Sequence, residues 1–307
     1  MTVKEELIQI IDKMPEENIS RVIELIKSNE YLDEALEMEN KGKLITKTIE
    51  ELENYIYWFI NALLKYLKSG LTMPKEYSER FLQDKVIELF KKMGYKYLSR
   101  EEAFEERGNN KGNVLLKNIL ANKMNEFNYF VYDDKKYKFS KENIKQAIND
   151  LDVSLINGYL PANEKITEKL LKGEGYKENV GNKRESFNIR YIDFDNIENN
   201  AFHITEEFEV KRQNTEEKEK TKRPDLIVFI NGIPLGIIEL KKASVSIENA
   251  IEQMIGNQKE GEIRELFKFS QLLLCANDES VKYATAGTNK EFYSVWKDKE
   301  EDGKIKK

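Results

Sequence analysis

The chain changes its hydrophobic period along its length. Through residues 1–72 apolar positions recur at helical spacing, as in "VKEELIQIIDK", "PEENISRVIELIKS" and "TKTIEELENYIYWFINALLKYLKS". Such spacing lays one apolar stripe along a helix. Pro15 suits a first helical turn, where its missing N–H costs little, and Thr46 or Thr48 suits a cap. "SGLTMPKEYS" collects Gly, Pro and Ser and reads as a boundary. "SERFLQDKVIELFKKMGYKYL" then predicts an amphipathic helix with Ser78 as N-cap and Gly94 as its stop, leading into "YKYL". From about Gly112 to Gly175 the pattern is mainly helical: "NVLLKNILANKMNEF", "SKENIKQAINDL" and "NEKITEKLLKGEG". Beyond that the period becomes two. "SFNIRYIDF", "AFHITEEFEVKR", "DLIVFI", "LGIIEL" and "FSQLLLCAND" read as strands, with one helix, "SIENAIEQMIGNQK", interposed before the last. No internal repeat is evident. The expected fold class is α+β, a mixed sheet flanked by helices in residues 75–307, preceded by an all-helical segment of unknown role in residues 1–72.

Composition narrows this picture. A length of 307 residues fits one or two domains, and an apolar content of 40% is ample for a core. The lone cysteine excludes an intrachain disulfide framework and fits a reducing cytoplasm. No signal peptide is apparent, and "YIYWFINALLKYL" is too short to cross a bilayer and carries Lys65, so a buried helix is expected there and no membrane partner. The net charge of −6 is uneven. Residues 1–70 hold nine Lys/Arg and fourteen Asp/Glu, leaving the remainder near neutral. That remainder can still present a local basic face to nucleic acid, so charge decides nothing by itself.

The chemistry gathers in "RPDLIVFINGIPLGIIELKK". Asn231–Gly232 is a tight-turn signal between two apolar runs, placing the turn within Asn231 to Pro234. In an antiparallel pair Asp225 then falls opposite residue 238, 239 or 240, each within reach of Glu239. Glu239 and Lys241 are two apart and share a face. Two carboxylates and one ammonium therefore meet at one end of a sheet. The carboxylates repel unless neutralised. A hard divalent cation such as Mg²⁺, held by Asp225, Glu239 and the Leu240 carbonyl, would do this. It would polarise a phosphoryl oxygen and lower the pKa of bound water. Lys241 would orient or help deprotonate that water, or neutralise charge developing at phosphorus. A bare D…ExK recurs by accident. Here it follows a proline, frames a hairpin and closes an apolar strand.

At these residues the sequence resembles the PD-(D/E)xK nuclease superfamily, and more closely the N-terminal nuclease region of the restriction (R) subunit of type I restriction–modification enzymes. "YIDFDNIENNAFHITEEFEVKR", "RPDLIVFINGIPLGIIELKKAS", "AIEQMIGNQ", "LFKFSQLLLCAND" and "KYATAGTNKEFYSVWKD" follow in that family's order, and "YSERFLQDKVIELFKKMGYKYL" resembles its opening helix. The resemblance covers about residues 75–300. It implies that Asp225 and Glu239 bind Mg²⁺ and that Lys241 is the catalytic lysine. Gln253 matches the glutamine of the family's Q-x-x-x-Y element, although position 257 is asparagine and Gln258 is the nearest polar substitute. Glu79 corresponds to an opening-helix glutamate found near the metal. The implied activity is hydrolysis of double-stranded DNA in a complex with methylation and specificity subunits. In that family ATP drives a motor domain. No G-x-x-x-x-G-K-[ST] loop occurs here, so ATP is expected to act only through a motor outside this chain, and the chain alone is expected to cut weakly and without specificity. The competing expectation is a non-catalytic assembly or regulatory module that keeps the fold.

Other residues read as structural. His203, the single histidine, cannot form a metal cluster alone. Cys275 belongs to an apolar strand. "KRQNTEEKEKTKR" alternates charge and reads as a solvated hairpin loop, with Lys211, Arg212, Lys220, Lys222 and Arg223 as candidate DNA-backbone contacts. "ATAGT" reads as a turn.

Overall fold

A computed structural model describes residues 78–213, 220–242, 244–277 and 280–295. The helical reading of residues 1–72, the boundary near residue 72 and the middle of the charged loop lie outside the described residues. Helix α1 (Glu79–Lys92) starts and stops where predicted. The Ser78 hydroxyl accepts the Phe81 N–H at 3.3 Å, and Gly94 takes a left-handed φ of 90°. Its Leu82, Val86, Ile87, Leu89 and Phe90 are buried. Strand β1 (Lys96–Leu98) follows, then helix α2 (Arg100–Glu106), opened by a Ser99–Glu102 capping box that the sequence pattern had not brought out.

Three predicted helices form as α3 (Lys117–Phe127), α4 (Lys141–Leu151) and α5 (Tyr159–Lys172). Between α3 and α4 lies a hairpin, β2 (Phe130–Tyr132) and β3 (Lys135–Tyr137), inside a stretch read as mainly helical. Its turn residues Asp133 and Asp134 both have positive φ. Strands β4 (Glu174–Val180) and β5 (Lys183–Ile189) pair only with each other, so "SFNIRYIDF" is a strand for its first four residues and lies apart from the main sheet.

The predicted strand over "AFHITEEFEVKR" is two. β6 (Phe202–Glu206) ends where Glu207 turns to a φ of 42°, and β7 (Val210–Lys211) pairs with β8 (Thr221–Lys222). The remaining elements are β9 (Leu226–Ile230), β10 (Ile233–Leu240), helices α6 (Ile247–Asn257) and α7 (Arg264–Phe267), β11 (Leu272–Ala276), β12 (Val281–Ala284) and β13 (Ser294–Val295). The main sheet has seven strands in the order β1-β6-β9-β10-β11-β12-β13. Pairs β1/β6 and β10/β11 are parallel and the others antiparallel. The fold is the expected α+β mixed sheet flanked by helices. Strands β9 and β10 are interior and read as continuous apolar runs because both of their faces are covered. No helix among the described residues is long and apolar enough to cross a membrane.

Candidate active site

The β9–β10 hairpin turns on two residues, Asn231 (φ 51°) and Gly232 (φ 82°), since Ile230 pairs directly with Ile233. Positive φ at both turn positions matches the right-handed twist of the strands. A Cβ on Gly232 would sit 2.5 Å from the Leu116 carbonyl oxygen, so only glycine fits. Asn231 is fully buried, accepting the Ala201 N–H at 2.7 Å and donating to the Asn200 side chain and Tyr191 carbonyl at 2.7 and 3.0 Å.

The register then slips by one residue. Pro234 faces Phe229, but Gly236 faces Val228, with a bulge between them. Pro234 donates no N–H, and such a bulge is one of the few places where an interior strand accommodates proline. The slip decides what faces Asp225. Ile238 pairs with Leu226, so the next step sets Glu239, rather than Ile238 or Leu240, across from Asp225. Asp225 gives its carbonyl to Glu207 N–H, and Lys241 N–H bonds Ala276 on the opposite side, both at 2.9 Å. Asp225 and Glu239 thus form a non-hydrogen-bonded pair, the type that brings side chains closest. One step further, Leu240 faces Pro224, which has no N–H for the Leu240 carbonyl. The Leu240 N–H goes to the Asp225 side chain at 2.7 Å.

Both carboxyls are held by amides from other elements. Gln83, on α1 and buried, donates to Asp225 Oδ1 at 3.0 Å. On α6, Gln253 donates to Glu239 Oε2 at 2.7 Å and Asn257 to Oε1 at 3.4 Å. Burial pushes the Asp225 carboxyl above its usual range. Burial and the nearby Asp225 charge push Glu239 well above its own. Lys241 is largely buried, acts on both charges, and its Nζ lies 4.0 Å from Glu79. Glu79 itself opens α1 and is half-exposed. Among the described residues no group of three or more His, Cys, Asp or Glu side chains is assembled for a metal ion. The oxygen donors here are two facing carboxylates and a carbonyl opposite a proline. Such a set suits a hard cation that keeps several waters, as Mg²⁺ does.

The structure thus brings Asp225, Glu239, Leu240, Lys241 and Gln253 together. Gln83 was missed, although it lies one helical turn beyond Glu79, the spacing that puts two side chains on one face. Gln258 does not replace a residue at 257. Just past the end of α6 and five positions from Gln253, it points elsewhere, accepting the Gly287 N–H at 2.8 Å and donating to the Met254 carbonyl at 3.1 Å. His203 is buried and belongs to no metal-ligating group among the described residues, and burial lowers its pKa to about 4. Cys275 is buried and pairs across the sheet with Glu239. Of the basic residues in the charged loop, Arg212 and Lys222 meet Glu262, while Arg223 meets Glu207 and Glu209. "ATAGT" is a turn, with Gly287 at φ 83°.

Residues 76–292 match the family model described as type I restriction enzyme R protein N terminus. A protein of Methanocaldococcus jannaschii provisionally named the type I restriction enzyme MjaIXP endonuclease subunit is 27% identical over 247 residues, covering 78% of this chain and 22% of that protein. A second from the same organism, provisionally named the MjaVIIIP endonuclease subunit, is 30% identical over 216 residues, covering 67% of this chain and 18% of its own length. The type I restriction enzyme EcoprrI endonuclease subunit of Escherichia coli is 32% identical over 106 residues, 34% of this chain and 32% of that protein. The chain spans roughly a fifth of the length of the two archaeal relatives.

Proposed function

Since the chain belongs to the family of type I restriction enzyme R protein N termini, we propose that it is the DNA-cutting domain of such an enzyme, hydrolysing phosphodiesters with Mg²⁺. The observation that carries this reading is the facing pair of half-buried Asp225 and fully buried Glu239 beside Lys241. Holding two such carboxyls together costs stability, and a bound cation offsets that cost.

Asp225, Glu239 and the Leu240 carbonyl would hold the ion. When bound it polarises a phosphoryl oxygen and lowers the pKa of a coordinated water. Gln83 and the Leu240 N–H fix Asp225, and Gln253 with Asn257 fixes Glu239, so the oxygens are aimed before substrate arrives. Lys241 supplies a positive charge to the phosphoryl group and orients the attacking water. Glu79 lies 4.0 Å from the Lys241 amine and balances part of its charge. The substrate is double-stranded DNA, and the setting is the cytoplasm. The relatives' names as endonuclease subunits support assembly with other subunits, which in this reading are the methylation and specificity subunits. Translocation would come from an ATP-driven motor outside this sequence.

Plasmid cutting in the reconstituted enzyme tests the proposal. Asp225→Asn, Glu239→Gln and Lys241→Ala should each slow cutting by about 10²–10³-fold while the complex still assembles. Undiminished cutting by all three would reduce the domain to an assembly module.

A further inference from the structure

Lys222 lies at the end of β8, outside the carboxylate pair, yet it is connected to it. Its Nζ is 2.9 Å from Asn257 Oδ1 and 3.1 Å from Glu262 Oε2. Glu262 also holds Arg212, just after β7, at 2.7 Å, so the short β7–β8 hairpin is clamped beside α6. The other end of the Asn257 amide faces Glu239 Oε1 at 3.4 Å, and Asn257 is 2% exposed. A lysine ammonium only donates hydrogen bonds, and a carboxyl oxygen that carries no proton, the role Glu239 Oε1 plays here, only accepts them. Between the two, an amide satisfies both neighbours in one orientation: oxygen toward Lys222, NH₂ toward Glu239. Without the ammonium that end of the contact no longer selects the oxygen. A reversed amide would set its oxygen against the Glu239 carboxylate. A tyrosine at 257 would carry one rotatable hydroxyl and need no such partner; the asparagine does.

Resting on the metal-site reading above, we propose that Lys222 is a positioning residue for the cation site, fixing the Asn257 amide so that its N–H holds Glu239 facing Asp225. A buried amide held at both ends keeps its ligand in place, and outer contacts of this kind typically govern metal affinity by 10–100-fold.

The test is binding of Mn²⁺ alone to the full chain at neutral pH, without DNA, read from the paramagnetic resonance signal of the free ion. Lys222→Met and Asn257→Ala should each weaken binding about 10-fold, and Lys222→Arg should restore most of the loss. The double variant should again lose about 10-fold, not about 100-fold, because both changes remove one contact. Asn257→Asp keeps a partner for Lys222 but removes the donor to Glu239. It should weaken binding at least as much as Asn257→Ala, and it decides the question if Lys222→Met does not fold. Unchanged affinity in Lys222→Met, or additive losses in the double variant, overturns the proposal. Asp225→Asn separates the two readings. If it leaves Mn²⁺ binding intact, the metal site fails and this inference with it. If it abolishes binding while Lys222→Met has no effect, this inference alone fails.

Discussion

At Asp225 and Glu239 burial opposes ionisation, and that conflict has a measurable sign. Both carboxyls have pKa values above the ordinary range in the folded chain. As pH rises from the ordinary carboxylate range, the unfolded chain loses these protons first, and the metal-free fold becomes less stable through that window. Glu239→Gln should therefore raise the melting temperature of the metal-free protein at neutral pH, with the gain shrinking at acid pH. An unchanged or lower melting temperature at neutral pH would contradict the buried-charge account. His203 works in the opposite direction. Its folded pKa is about 4, whereas a free imidazole titrates near 6.5. Between those values the unfolded chain binds a proton that the folded chain does not, so stability falls as pH drops from about 6.5 to about 4. His203→Leu should flatten this part of the pH dependence in urea unfolding, and the chain has no second histidine to obscure it. The meeting of Asp225, Glu239 and Lys241 at one end of the sheet could be read from residue type and spacing. Gln83 could not, because a glutamine on an amphipathic helix is chemically silent until the helix is placed against the sheet.

At the level of elements, the hairpin does the positioning. Its turn was legible because Asn-Gly is the residue pair that best tolerates two positive φ values. Gly232→Ala would force a Cβ against the Leu116 carbonyl at a φ of 82°. We expect a loss of about 1–3 kcal/mol in urea unfolding, and a neutral result would mean the turn can relax. The bulge after Pro234 was not legible. A one-residue slip in a strand reverses every side chain beyond it, and three registers were compatible with the sequence. The β2–β3 hairpin was missed for a related reason. Two three-residue strands around Asp133–Asp134 are too short to outweigh the helical pattern on both sides. "AFHITEEFEVKR" had the right period throughout, yet it breaks at Glu207, which takes a φ of 42° between β6 and β7.

Across the whole molecule, one mixed sheet brings together groups far apart in the chain: Gln83 on α1, the carboxylates of β9 and β10, the amides of α6 and Lys222 of β8. No phosphate loop lies in the sequence, so millimolar ATP should leave the nicking rate of the isolated chain unchanged, and a clear stimulation would show that the motor assignment is wrong. What the sequence determined by itself is what short-range physics controls. The Ser78 cap and Gly94 stop, the turn at Asn231–Gly232, the apolar strands and the charged residues at their outer ends all follow from hydrophobic period, φ preference and hydrogen-bonding side chains within a few residues. Only the tertiary structure decided that Glu239, and not a neighbour, faces Asp225, that Gln83 and Asn257 hold the pair while Gln258 turns away, and that Lys222 reaches Asn257. Those outcomes depend on the fit between strands and helices separated by tens of residues, where one bulge or one helical position changes which side chains meet.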